Sequence, residues 1–183
     1  MSIIEPDLIL YHGGRIDGSV ELRTKAKSMA YGPGFYMTTS YWTAREYRGG
    51  NGFVYQVKVK TPLRWDHEVR LTGPEIDIFL ALIPRLKRKN AVQQDLFSMR
   101  ARRSDDTVSM TGILNVLDNN KSYGASVARD VALAIVTAGC DASLVTGANG
   151  GGEDWVVLHN VSKVRSVKKL DGPEPDRPRL TPY

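Results

Sequence analysis

The chain has 183 residues and a mass of 20.3 kDa, which fits one ordinary domain and leaves little room for a second with its own core. Hydrophobic residues make up 42% and charged residues 25%, a balance that excludes wholesale disorder, collagen-like repeats and coiled coil. The net charge of +5 permits a polyanionic partner, and the charge is concentrated: from Arg85 to Arg103 seven basic residues (Arg85, Lys87, Arg88, Lys89, Arg100, Arg102, Arg103) accompany one acid, Asp95. This stretch carries +6 and the remainder of the chain −1.

In chain order, Asp7 to His12 is a short apolar run between Glu5-Pro6 and Gly13-Gly14, and it reads as a buried strand with Leu8, Leu10 and His12 on one face. Ser19 to Ala30 is polar and unpatterned. Tyr31-Gly32-Pro33-Gly34 forces a turn before Phe35-Tyr36-Met37-Thr38-Thr39. Ser40 suits the N-cap of a short helix through Tyr47, which Arg48-Gly49-Gly50-Asn51-Gly52 ends. Phe53 to Lys60 alternates cleanly as a strand, with Phe53, Tyr55, Val57 and Val59 on one face. Helical spacing predicts helices over Glu75 to Leu86, Val92 to Arg102, Met110 to Leu117 and Ser126 to Ala138, the last stopped by Gly139. Ala142 to Thr146 and Trp155 to His159 read as strands around a flexible loop from Gly147 to Gly152, and Val161 to Leu170 as a final strand. Four prolines among the last 13 residues predict an extended tail from Asp171 to Tyr183.

Cys140 is the single cysteine, so no intramolecular disulfide framework exists, and a reducing, cytoplasmic setting fits. The N-terminus lacks a basic region followed by an apolar run, and no window approaches the 18 apolar residues of a membrane span. His12, His67 and His159 show no metal-ligand spacing, so no metal is expected. Neither glycine-rich segment is a P-loop or a dinucleotide fingerprint, and no Gly-x-Ser-x-Gly elbow is present.

Three pieces remain. Leu10-Tyr11-His12-Gly13 is a strand ending in histidine and glycine; Gly32-Pro33-Gly34-Phe35-Tyr36 is followed eleven residues on by Tyr47; Gly152-Glu153-Asp154-Trp155 leads a carboxylate into a strand. In an extended strand Glu153 and Asp154 point to opposite faces, and Glu153 shares its face with Trp155 and Val157. In order and spacing these pieces resemble the His-Tyr-Glu branch of the ADP-ribosyltransferase superfamily, which includes diphtheria toxin and the poly(ADP-ribose) polymerases, and within it the small bacterial or phage toxin-type members. The resemblance covers about residues 8–60 and, more loosely, 127–170.

The resemblance implies an α+β domain over residues 1–170, with two small packed antiparallel sheets, an NAD cleft between them and a helical insertion over about 74–120. It implies that His12 binds the adenosine-side ribose of NAD, that the Gly13 backbone holds the nicotinamide amide, and that Tyr36 and Tyr47 sandwich the nicotinamide ring. Glu153 would stabilise the cation formed as nicotinamide leaves, making Glu153, Tyr36 and His12 the expected catalytic set. Gly151 stands where arginine-modifying relatives carry a second glutamate or glutamine, which disfavours arginine as acceptor. Ala44 stands where polymerase-type relatives carry a serine. The expected activity is mono-ADP-ribosyl transfer from NAD to a macromolecule, RNA or DNA ahead of protein, in a toxin or phage-defence setting with an antitoxin partner. The basic stretch, with Arg100, Arg102 and Arg103 foremost, is the expected acceptor surface, since clustered cations supply phosphate contacts. The rival readings are an inactive relative that only binds nucleotide or partner, a basic nucleic-acid-binding module, and an NAD glycohydrolase.

Overall fold

The computed structural model describes residues 7–18 and 31–180, so the N-terminal residues, Ser19 to Ala30 and the last three positions, Pro182 among them, lie outside the description. Strand β1 (Leu8–Gly14) is central, and β2 (Phe35–Thr38), β3 (Phe53–Val59), β6 (Ala142–Gly147), β7 (Glu153–Leu158) and β8 (Val164–Lys169) complete a six-stranded antiparallel sheet. Its order is β6-β7-β2-β1-β3-β8. The architecture is therefore α+β.

The expected pair of separate sheets appears as one sheet with a weak seam. The β1–β3 ladder runs seven residue pairs, whereas β1 meets β2 at a single pair, Tyr11 with Thr38. On one side of this seam stand β6, β7 and β2, and on the other β1, β3 and β8.

Helix α1 (Tyr41–Tyr47) begins as its sequence dictates: the Ser40 hydroxyl accepts from the Thr43 N–H at 3.4 Å, one of the orphan donors of the first turn. It packs Tyr41 and Ala44 on Tyr11 and Val54. Gly13 makes this approach possible, because a Cβ there would stand 1.6 Å from the Ala44 carbonyl oxygen.

A helical body fills the stretch between β3 and β6. It comprises α2 (Gly73–Ala81), α3 (Lys89–Ala101), α4 (Met110–Asn119) and α5 (Ala128–Thr137), with the two-residue strands β4 (Arg70–Leu71) and β5 (Val108–Ser109) paired beside them. Its core, from Val69 to Cys140, is distinct from the sheet core of Leu10, Phe35, Met37, Val57, Val156 and Leu158. The body thus extends beyond the expected 74–120, because α5 packs on α2 through Val131 and Ile135 rather than on the sheet. Helix α2 stops at Ala81, short of Leu86. Pro84 explains this, since it lacks an N–H and its ring clashes with a preceding helical turn. Asp66 ties the helical body to the sheet: its carboxylate accepts from the Thr111 hydroxyl at 2.7 Å and the Leu144 N–H at 3.1 Å.

The loop expected between Gly147 and Gly152 is a short helical turn, α6 (Ala148–Gly151), whose Ala148 bridges Glu153. Before β8, residues Val161–Lys163 form a 3-10 turn, so the last strand starts at Val164. The segment after Asp171 has no regular structure through Leu180, as its prolines dictate, yet it is bound to the sheet. The Tyr11 hydroxyl donates to the Pro175 carbonyl at 2.7 Å, Asp176 accepts from the first N–H of α1 at 2.7 Å, and the Arg177 N–H donates to the Thr39 carbonyl at 2.8 Å.

Candidate active site

The three singled-out motifs converge on neighbouring strands. His12 lies on β1, Tyr36 on β2 and Glu153 at the start of β7, which are consecutive in the sheet. Register sorts them further. Tyr36 pairs with Val157 and Thr38 with Trp155, so Tyr36, Thr38, Trp155 and Glu153 belong to one face. His12 pairs with Tyr55 and leaves the sheet on the side of Phe35, its ring 4.2 Å from the Phe35 ring centroid. His12 and Glu153 therefore flank β2 without sharing a face.

His12 stands where the β1–β2 pairing ends. If the β1–β2 ladder continued, Gly13 would pair with Tyr36; instead the Tyr36 carbonyl meets His12 Nδ1 at 2.7 Å. A carbonyl only accepts, so Nδ1 carries the proton. Gly14 leaves room for the ring, since a Cβ there would fall 2.7 Å from Nε2. The Gly13 backbone is oriented by its neighbours. Val54, opposite Gly13, accepts from the Leu170 N–H of the β8 side, so Val54 turns its backbone groups away from β1. In an antiparallel ladder this makes Gly13 and Val54 a non-hydrogen-bonded pair, and the Gly13 N–H and C=O point into the seam. Gly13 itself is buried under α1.

Glu153 is 3% exposed and surrounded by neutral donors. Oε2 accepts from the Thr38 hydroxyl at 3.0 Å; Oε1 accepts from the Trp155 indole N–H at 2.7 Å and from the Asn149 side-chain amide. Thr38 donates because a carboxylate oxygen only accepts, and its own oxygen accepts from the Ser40 N–H at 3.0 Å. Among the described residues no Lys, Arg or His forms an ion pair with Glu153. A carboxylate buried among neutral donors keeps an uncompensated negative potential, which favours positive charge arriving beside it.

Asp154, the alternative carboxylate, is fully buried and committed elsewhere. It accepts from the Gly147 N–H at 2.9 Å and the Leu180 N–H at 2.6 Å, and pairs with Arg179 at 2.7 Å. Burial raises its pKa, but the bonds from Arg179, Gly147 and Leu180 outweigh it and leave the carboxyl below its ordinary value.

Aromatic rings gather at the same place. Trp155 takes the Tyr31 ring edge-on at 6.4 Å and the Tyr47 ring edge-on at 6.2 Å, and Tyr47 is 56% exposed. Tyr36 lies on the same face, its hydroxyl donating to the Gly32 carbonyl at 2.8 Å. Thr38, Asn149, Trp155 and Tyr31 were not singled out from sequence as site residues. Only Trp155 carried a signal, its shared face with Glu153. His159 is fixed structurally: Nδ1–H donates to the Pro33 carbonyl at 2.8 Å, Nε2 accepts from Ser143 at 2.9 Å, and burial holds its pKa down.

The basic stretch is partly consumed by neighbours. Arg100 makes a two-pronged contact with Asp106, at 3.1 and 2.9 Å, and its guanidinium sits where a Gly73 Cβ would go. Arg103 pairs with Asp105 at 3.4 Å and Arg85 with Asp130 at 3.6 Å. Lys87, Arg88 and Arg102 are exposed. Among the described residues no group of three or more His, Cys, Asp or Glu is arranged to hold a metal, and no helix is long and apolar enough to cross a membrane.

No protein-family model matches the chain, and no curated protein matches it. Among solved structures, one titled as the crystal structure of an anti-CRISPR protein aligns over 91% of this chain and 98% of its own, with 16% identity and a TM-score of 0.42.

Proposed function

We propose that the protein is a mono-ADP-ribosyltransferase of the His-Tyr-Glu kind, its seamed sheet being that family's split-sheet fold, and that it moves ADP-ribose from NAD to a macromolecular acceptor. The observation that carries this reading is Glu153: a buried carboxylate with three neutral donors, no cationic partner among the described residues, and aromatic rings around it. In the reaction the bond between C1′ of the ribose and the nicotinamide nitrogen breaks, and its electron pair leaves with nicotinamide. The ribosyl carbon becomes cationic, and Glu153 stabilises that charge in a site with little water. The acceptor then bonds to C1′ and loses its proton, for which Glu153 is the available base.

The remaining roles are those the resemblance implies. A primary carboxamide offers two N–H donors and a carbonyl acceptor, of which one donor and the acceptor complement the Gly13 C=O and N–H directed into the seam. His12, oriented by the Tyr36 carbonyl, serves the adenosine-side ribose; Tyr36 and Tyr47 hold the nicotinamide ring, each aromatic contact contributing on the order of 1 kcal/mol. Nucleic acid remains the favoured acceptor. Among the described residues, Lys87, Arg88 and Arg102 are the exposed cations of the basic stretch with no ion pair and would meet a phosphate backbone or an acidic antitoxin; Arg85, Arg100 and Arg103 would do so only by leaving Asp130, Asp106 and Asp105.

Incubation with adenine-labelled NAD and separate RNA, DNA and protein pools tests the reading. Label is expected on a nucleic-acid pool, with free nicotinamide, and Glu153→Gln is expected to lower transfer about 100-fold or more. Label transfer unchanged by Glu153→Gln would remove that residue from the mechanism; free ADP-ribose with no labelled macromolecule would make water the acceptor; NAD bound without nicotinamide release would make the protein a binder.

A further inference from the structure

The α6 turn is built on left-handed backbone. Gly147, Asn149, Gly150 and Gly151 all have positive φ, of 68°, 48°, 76° and 96°. Among non-glycine residues asparagine enters that region most readily, so the turn forms at modest cost and its contacts decide how firmly it is held. Asn149 is the one non-glycine residue of the four, and its side-chain amide donates to Glu153. Both ends of the turn are stapled by one ion pair. Asp154 takes the Gly147 N–H at 2.9 Å at the entry, and the Arg179 guanidinium donates to the Gly151 carbonyl at the exit. Arg179 meets Asp154 at 2.7 Å and lies 25 residues downstream, on the segment bound across β1, β2 and α1. Leu180 adds its own N–H to Asp154 and packs against the sheet core.

We infer that Arg179 is a positioning residue for Glu153: by clamping the α6 turn through Asp154 and Gly151, it holds the Asn149 amide on Glu153 Oε1. Two donors to Glu153 come from the sheet itself, Trp155 and Thr38, and are independent of the downstream segment. The third depends on it. Without Arg179 the turn keeps four positive-φ residues and loses the contact at its exit, so Asn149 spends less time on the carboxylate.

The inference rests on Glu153 being the working carboxylate only for its activity readout; its structural readout stands alone. In full-length Arg179→Ala, backbone amides of 147–152 should exchange at least tenfold faster with solvent, and the Asn149 side-chain amide protons should lose their hydrogen-bonded NMR shift. Amides of β1 and β3 should keep their protection. In nicotinamide release, Arg179→Ala should lower kcat about tenfold with KM for NAD within twofold of wild type, and millimolar guanidinium should restore part of kcat. Asn149→Ala should lower kcat equally, and adding Arg179→Ala to it should cost little more. Arg179→Lys keeps the charge and serves should the alanine variant lose its fold: it should retain the Asp154 contact and give intermediate exchange at 147–152. Unchanged exchange and unchanged Asn149 signals in Arg179→Ala, or in Arg179→Lys where alanine unfolds, overturn the inference whatever the enzyme does. If wild type releases no nicotinamide while the Asn149 signals respond as expected, the proposed function fails and the positioning role stands.

Discussion

Thr38 touches Glu153, and its contribution follows from two hydrogen bonds. Valine has nearly the same shape, so Thr38→Val removes the hydroxyl with little change in packing. Two groups are then stranded: Glu153 Oε2 loses a donor at 3.0 Å, and the Ser40 N–H, at the start of α1, loses its acceptor at 3.0 Å. A hydrogen bond to a charged group contributes about 1.5–3 kcal/mol, and an unpaired buried N–H costs about 1–3 kcal/mol, so about 3 kcal/mol is expected in total. For a chain of this size that is a fall in Tm of roughly 6–12 °C. Thr38→Ser keeps both bonds and loses one methyl, about 1 kcal/mol and roughly 2–4 °C. Thermal unfolding by circular dichroism compares the three proteins, and nicotinamide release compares their kcat, expected about tenfold lower in Thr38→Val and near wild type in Thr38→Ser. Equal losses in valine and serine variants, or a valine variant within 1 °C or so of wild type, would refute the hydrogen-bond account.

Gly13→Ala should be destabilised by about 3 kcal/mol, because its Cβ meets the Ala44 carbonyl at 1.6 Å, whereas Gly50→Ala, with nothing within 4 Å, should unfold near the wild-type temperature in the same melt. Asp154 has a depressed folded pKa, so its pair with Arg179 adds stability above the unfolded carboxylate value of about 3.9 and loses it as pH falls further. Urea melts of wild type and Arg179→Ala should therefore differ at pH 7, and the difference should shrink as pH falls below about 3.9. His159 is depressed by burial, so the folded state resists a proton that the unfolded chain takes below about 6.5. Stability should begin to fall between pH 6.5 and 5, and that part of the slope should vanish in His159→Gln. An unchanged slope would assign it to other groups.

The local elements were legible because their signals are local. Ser40 before an apolar helix start, the alternation of Phe53 to Val59, and Gly-Pro-Gly ahead of Phe35 each state their structure within a few residues. His12, Tyr36 and Glu153 each sit at a strand position marked by glycine or charge, and their strands are consecutive in the sheet, but that His12 leaves the other face was not legible. Nor was Thr38, since a threonine in a four-residue strand looks like an ordinary strand former, and only its contacts with Glu153 and the Ser40 N–H show which way its hydroxyl points. Asn149 was hidden in a run of glycines that reads as plain flexibility. The downstream segment was legible as non-helical but not as bound, because Tyr11 and Pro175 stand 164 residues apart and no periodicity encodes such a contact. The charge of the basic stretch misled in one respect. Two acids immediately beyond it, Asp105 and Asp106, fold back on Arg103 and Arg100.

The Tyr36 carbonyl has one consequence for the sheet as a whole. By giving that oxygen to an imidazole, the chain forgoes a main-chain rung between Gly13 and Tyr36, at the very centre of its largest sheet. A rung there would add on the order of 1 kcal/mol. His12 thus stands where a further rung would form, and in His12→Ala the oxygen freed for the Gly13 N–H would be set against the lost packing of a buried ring on Phe35.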